Sequence, residues 1–255
     1  METISQSRTE TIILETKGLT KTFGGLTAVD HLDLALKEGE IRAVIGPNGA
    51  GKTTFFNLLV GTLPTTEGRV FFKGEDITNL APYKISQRGI GRTLQITSIF
   101  SGLTVFENIW AAVQSRKRFF NPFIHCSRLR DVEAKTREMI ELIGLSDKSD
   151  TPASDLSYGD QRLLEIGLAL GTEPELLLLD EPTAGLSSEE TAIVTGKVKE
   201  LSARQTIILV EHDMEVVMGL ADHITVLHYG QKIAEGTPDD IRRNEEVIRV
   251  YLGGD

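Results

Sequence analysis

The sequence predicts an α/β fold with a parallel central sheet, an antiparallel β layer near the N-terminus and an inserted helical lobe. Three observations carry that expectation. The short runs Ile41–Ile45, Leu176–Leu179 and Thr206–Val210 show little alternation, as strands buried on both faces of a parallel sheet require. Residues 11–37 alternate apolar and polar side chains, as in Leu32-Asp33-Leu34-Ala35-Leu36, which suits antiparallel strands with one wet face. From about Leu103 to Gly171 the pattern takes the helical period instead.

Between the first alternating runs lies Lys21-Thr22-Phe23-Gly24-Gly25-Leu26. Phe23 fits either a packed residue in a tight turn or an aromatic shelf for a nucleotide base. The run Ile41–Ile45 then delivers the chain into Gly46, Pro47, Asn48, Gly49, Ala50, Gly51, Lys52, Thr53 and Thr54. These residues satisfy G-x-x-x-x-G-K-[ST], a phosphate-binding loop between a strand and a helix. Glycines let backbone N–H groups close around a phosphate where a Cβ would block the approach. The following helix, expected over Thr53–Val60, adds the positive end of its dipole. Lys52 is suited to pair with the β- and γ-phosphates, and the Thr53 hydroxyl to ligate Mg²⁺. A chance match at all four specified positions is expected roughly 1% of the time.

Gly61–Thr66 reads as a turn and Arg69–Gly74 as a strand, and Arg92-Thr93-Leu94-Gln95 opens the connection to the helical region. By itself Gln95 is an ordinary amide. Helices are expected over Val105–Val113, Arg128–Ile143 and Tyr158–Leu170. The basic and aromatic segment Arg116–Pro122 suits a surface loop or a contact for a membrane-bound partner. Leu176–Leu179 runs into Asp180-Glu181, at the strand end where such sheets place ligands. On an extended chain two successive carboxylates point apart and can hold separate roles: Asp180 on Mg²⁺ through water, Glu181 polarising an attacking water. Thr206–Val210 likewise ends in Glu211-His212-Asp213; His212 is the histidine with a functional setting, whereas His31, His125, His223 and His228 read as structural or exposed. Gly236-Thr237-Pro238-Asp239-Asp240 starts a helix, with Thr237 as N-cap, Pro238 in the first turn and acids against the dipole.

Composition narrows the function. The 255 residues carry a net charge of −10, which argues against nucleic acid as the partner. The apolar runs are far too short to cross a bilayer. Residues 1–10 are polar and lack the apolar core of a signal peptide, so a cytosolic chain is expected. Cys126 is the single cysteine, which excludes an internal disulfide and reads as an incidental thiol.

In combination and in this order, these motifs resemble the ATP-binding subunit of an ATP-binding cassette (ABC) transporter, over roughly Leu14 to Gly253. The resemblance implies a P-loop NTPase fold with a RecA-like core over 11–95 and 172–255, a helical lobe over 96–171, and a flexible tail over 1–10. It assigns ATP to Gly46–Thr54 and Phe23 to stacking on adenine. Lys52, Gln95, Glu181 and His212 become catalytic, and Thr53, Gln95 and Asp180 hold Mg²⁺. Leu156-Ser157-Tyr158-Gly159-Asp160 stands at the family's signature, with Ser157 and Gly159 covering the γ-phosphate bound by a second ATP-binding subunit, identical or related. Tyr158 and Asp160 depart from the usual signature, and Ser187 stands where many relatives carry Asp. Phe23–Val29, Val210–Met214 and Val250-Tyr251-Leu252-Gly253 are similar to branched-chain amino acid importers. Urea and amide importers and the lipopolysaccharide-export ATPase are close relatives, while a soluble cassette acting on ribosomes or DNA fits this single acidic cassette less well. The implied partners are transmembrane permease subunits and, indirectly, a substrate-binding protein, at the cytoplasmic face of the inner membrane.

Overall fold

A computed structural model describes residues 11–93, 99–116 and 126–252. The first half of the chain runs β1 (Ile12–Phe23), β2 (Leu26–Lys37), β3 (Ile41–Ile45), α1 (Lys52–Leu59), β4 (Glu67–Phe72), β5 (Glu75–Asp76), α2 (Pro82–Gln87) and β6 (Ile90–Arg92). Helices α3 (Val105–Arg116), α4 (Cys126–Ile143) and α5 (Tyr158–Leu170) follow. The chain then returns through β7 (Leu176–Asp180), α6 (Ser188–Leu201), β8 (Thr206–Val210), α7 (Met214–Leu220), β9 (His223–His228), β10 (Gln231–Gly236), α8 (Pro238–Arg243) and α9 (Glu245–Leu252).

Two sheets form. The first has the order β2-β1-β4-β5 and is antiparallel throughout. The second has the order β10-β9-β3-β8-β7-β6. It is parallel from β9 to β6, and β10 adds an antiparallel edge. Its central strands explain the unbroken apolar runs: Leu177 and Leu179 of β7 face a core shared with α3, α4 and α5, while Leu176 and Leu178 face a core shared with the first sheet and α1. All four leucines are fully buried, each contributing roughly 1.5–3 kcal/mol of transfer free energy. Polar residues at these positions would strip both cores at once.

Helices α3, α4 and α5, which come between β6 and β7 in chain order, pack on one another. Gly167 permits the close approach, because a Cβ there would stand 2.6 Å from Ile143 Cδ1 and 2.8 Å from Ile109 Cδ1. A buried arginine ties the layers together: Arg42 on β3 pairs with Glu40 at 2.6 Å and with Glu235 on β10, and donates to the Ala35 carbonyl on β2 at 3.2 Å. Among the described residues no helix is long and apolar enough to cross a membrane.

The expected strand at Arg69–Gly74 forms two residues earlier, over Glu67–Phe72. Lys73 at φ 51° and Gly74 at φ 78° turn the chain there, which an extended strand does not allow. Helix α1 begins at Lys52, one residue ahead of the expected Thr53.

Candidate functional site

The phosphate loop leaves the buried strand β3 and enters α1 through Gly51, the helix N-cap, at φ 100°. Its glycines are required by their surroundings. A Cβ on Gly46 would stand 2.2 Å from the Leu227 carbonyl oxygen, and one on Gly51 would stand 2.2 Å from that of Ala28. The loop is thus clamped by β2 and β9, with Pro47, Asn48 and Gly49 left accessible. Lys52 is 8% exposed, and its Nζ donates to the carbonyls of Gly46 at 2.6 Å and Pro47 at 3.1 Å. Burial pushes the ammonium below the ordinary lysine value, against the pull of Glu181 and Asp180. Thr53 is exposed in the first turn of α1.

The two carboxylates at the end of β7 diverge for a different reason from the one expected. Asp180 ends the strand, but Glu181 leaves it in the left-handed backbone region at φ 49°, a conformation that non-glycine residues hold only where their surroundings impose it. Its N–H is fixed to the Val210 carbonyl at 2.9 Å. Asp180 Oδ2 accepts from Arg92 Nη2 at 2.7 Å, with side chains 4% and 13% exposed. Glu181 Oε1 lies 3.2 Å from Nδ1 of His212. Behind them Glu211, which is 1% exposed, accepts from the Thr183 N–H at 2.9 Å and the Thr183 hydroxyl at 2.7 Å, and from the His212 N–H at 3.2 Å. Glu211 therefore holds both the turn after Glu181 and the backbone of His212. The sequence offered one signal for it, a carboxylate directly following the buried run Ile207–Val210.

Ser157 and Gly159 form a separate cluster at the start of α5. Ser157 caps the helix, accepting the Asp160 N–H at 3.2 Å and donating its hydroxyl to Asp160 Oδ2 at 2.8 Å. Asp160 also pairs with Lys148 at 2.7 Å, so its negative charge is locally offset. The Gly159 N–H donates to Glu190 Oε1 at 3.0 Å. Glu190 in turn completes a capping box with Ser187 at the start of α6. Ser187, in its capping role, does for α6 what an Asp would do. Tyr158 lies against Gly185, and its hydroxyl accepts from Arg162 Nη2 at 2.9 Å.

Phe23 ends β1 and is 45% exposed, with Lys21 Nζ 5.0 Å from its ring centre, so it is not a core residue. Gln95 lies outside the described residues. A groove of about 600 Å³ opens beside β6, lined among others by Tyr83, Ile90, Arg92, Phe100, Ala112 and Leu168.

The family model described as "ABC transporter" matches residues 29–184, and that described as "Branched-chain amino acid ATP-binding cassette transporter" matches residues 231–255. The chain is 41% identical to the high-affinity branched-chain amino acid transport ATP-binding protein LivG of Salmonella typhimurium, over 94% of this chain and 98% of that protein. It is 39% identical to BraF of Pseudomonas aeruginosa, a protein of the same description, over 94% and 98%. Among solved structures, the ADP conformation of MJ1267, an ATP-binding cassette of an ABC transporter, superposes with a TM-score of 0.85 at 33% identity, covering 95% of this chain and 99% of that one.

Proposed function

The chain belongs to the ABC transporter family, and we propose that it is the ATP-hydrolysing motor of an importer for branched-chain amino acids. The observation that carries the reading is the clamped Gly46–Thr53 loop, at the head of a chain matched almost end to end by transport ATP-binding proteins.

Phosphate oxygens would take the Lys52 ammonium that the Gly46 and Pro47 carbonyls now accept from. The loop N–H groups and the N-terminus of α1 would hold the remaining charge. Phe23, exposed at the end of β1, would stack on the base. Glu181 would orient or deprotonate the attacking water, with His212 steadying its carboxylate. In that step the water oxygen bonds to the γ-phosphorus, the bond to the bridging oxygen breaks, and ADP and phosphate leave.

Among the described residues no cluster of three His, Cys, Asp or Glu side chains is arranged to hold a metal. The hydroxyl of Thr53 and the carboxylate of Asp180 still fit Mg²⁺, which is typically bound through one or two carboxylates and completes its shell with phosphates and water. Thr53, Asp180 and Gln95 would supply the protein ligands, and the ion would neutralise phosphate charge.

Ser157 and Gly159 would act in trans, over the phosphates held by a second cassette docked head to tail. The second cassette would be a copy of this chain or a related one. The groove beside β6 would receive the cytoplasmic segment of a transmembrane permease, so that movement of α3–α5 reaches the membrane. The protein would then work at the cytoplasmic face of the inner membrane.

Affinity capture from gently solubilised membranes tests this reading. Recovery with two multispanning proteins and a second cassette chain is expected. Recovery from the soluble fraction without such partners would remove transport from the function and leave the ATPase site standing.

A further inference from the structure

Arg92 is unaccounted for by the phosphate loop, the carboxylate pair or the signature turn. It closes β6, a three-residue strand paired in parallel with β7 so that Arg92 stands beside Leu178. Its guanidinium makes contacts on several sides. Nη2 donates to Asp180 Oδ2 at 2.7 Å, Nη1 donates to Asn57 Oδ1 on α1 at 2.6 Å, and Cζ lies 5.6 Å from the Phe56 ring centre. The next residue belongs to the same device, since Thr93 Oγ1 accepts the Asp180 N–H at 3.2 Å. Meanwhile the Lys52 ammonium is committed to its own loop carbonyls.

A carboxylate 4% exposed is strongly disfavoured as an anion unless a cation sits beside it. We propose that Arg92 is the resident counter-ion of Asp180, the positioning residue that neutralises this carboxylate before a divalent cation arrives and competes with that cation for it. The proposal rests on the reading of Asp180 as a Mg²⁺-holding residue. On this account Arg92 holds Asp180 aimed and paired without metal, and weakens metal binding in return. A guanidinium is suited to the task, because it stays charged and its planar fork can serve Asp180 and Asn57 together.

The test compares the wild type with Arg92→Met, Arg92→Lys, Asp180→Asn and the double variant Arg92→Met/Asp180→Asn. The readout is the thermal midpoint with saturating ADP, followed as MgCl₂ is titrated in. Arg92→Met should start from a lower midpoint than the wild type and gain more from Mg²⁺, with the half-saturating Mg²⁺ concentration lowered about tenfold. Arg92→Lys should stay near the wild type, and Asp180→Asn should lose most of the Mg²⁺-dependent shift. The double variant should be more stable without metal than Arg92→Met, because neither partner is then left buried and unpaired. An Arg92→Met protein whose Mg²⁺ response equals or falls below that of the wild type would overturn the proposal, provided Asp180→Asn has lost the shift. A wild-type shift in Asp180→Asn would instead remove Asp180 from the metal site, and the proposal with it. Should Arg92→Met fail to fold, a double variant that fails as well would count against the counter-ion role, since a purely packing role predicts that result.

Discussion

Nδ1 of His212 lies 3.2 Å from Glu181 Oε1, a contact that joins the C-terminal ends of the adjacent parallel strands β7 and β8. Each side of that contact is fixed from behind. Glu181 is held by its N–H on the Val210 carbonyl, and His212 by its N–H on Glu211. The carboxylate is therefore placed by two backbone anchors rather than by its own rotamer alone.

Glu181→Gln keeps the side-chain shape and removes the base. Hydrolysis should fall by roughly 10²–10⁴, while ATP binding survives. With ATP and Mg²⁺ the variant should sediment as a dimer. A protein that stays monomeric under those conditions would contradict the head-to-tail sandwich.

Lys52→Met should separate function from stability. Nucleotide affinity should fall at least about tenfold, because a full charge facing phosphate is lost. The nucleotide-free protein should gain roughly 0.5–2 kcal/mol, as functional sites relieved of a buried charge often do. Burial lowers the Lys52 value below the ordinary 10.5, so the charged form is disfavoured by folding. The wild type carries that cost in full below the lowered value and is free of it above 10.5. The stability gap between variant and wild type should therefore be widest near neutral pH and shrink as pH rises through that window. Denaturant titrations at a series of pH values read both ends; a gap that widens with pH would refute the assignment.

Glu211→Ala removes the acceptor for the Thr183 N–H, the Thr183 hydroxyl and the His212 N–H. Groups left unsatisfied in so buried a place cost about 1–3 kcal/mol each. The variant should lose several-fold in kcat with little change in nucleotide affinity, and Glu211→Gln should recover part of both stability and rate. Equal kcat in Glu211→Ala and the wild type would show that the turn positions itself without this carboxylate.

Gly46→Ala meets the Leu227 carbonyl at 2.2 Å and must hold φ 154°. A loss of roughly 1–3 kcal/mol is expected, with nucleotide binding reduced because the loop must shift. Urea unfolding and fluorescent-nucleotide titration report the two effects separately.

The phosphate loop, the buried strands and the Asp180-Glu181 pair were legible because each joins a rigid residue requirement to a fixed spacing. A loop that must let backbone reach phosphate needs glycines, and a strand buried on both faces cannot alternate. Asp160 and Ser187 looked like departures in one dimension, and the fold shows Ser187 capping α6 and Asp160 in the first turn of α5, accepting the hydroxyl of its N-cap Ser157. Strand β6 was missed because three residues containing a glycine carry no periodicity, and with it went Arg92. The β9–β10 hairpin was missed too, although Tyr229-Gly230 between two strand-like runs is a usable turn signal. Contacts such as Gly159 with Glu190 bridge elements 31 residues apart and leave no local trace.

Import of branched-chain amino acids is the central claim, and uptake of radiolabelled leucine measures it most directly. Cells lacking this chain should take up little leucine by the high-affinity route; the wild-type chain should restore it and Lys52→Ala should not. Uptake that is unchanged by removing the chain, or restored equally by Lys52→Ala, would contradict the account.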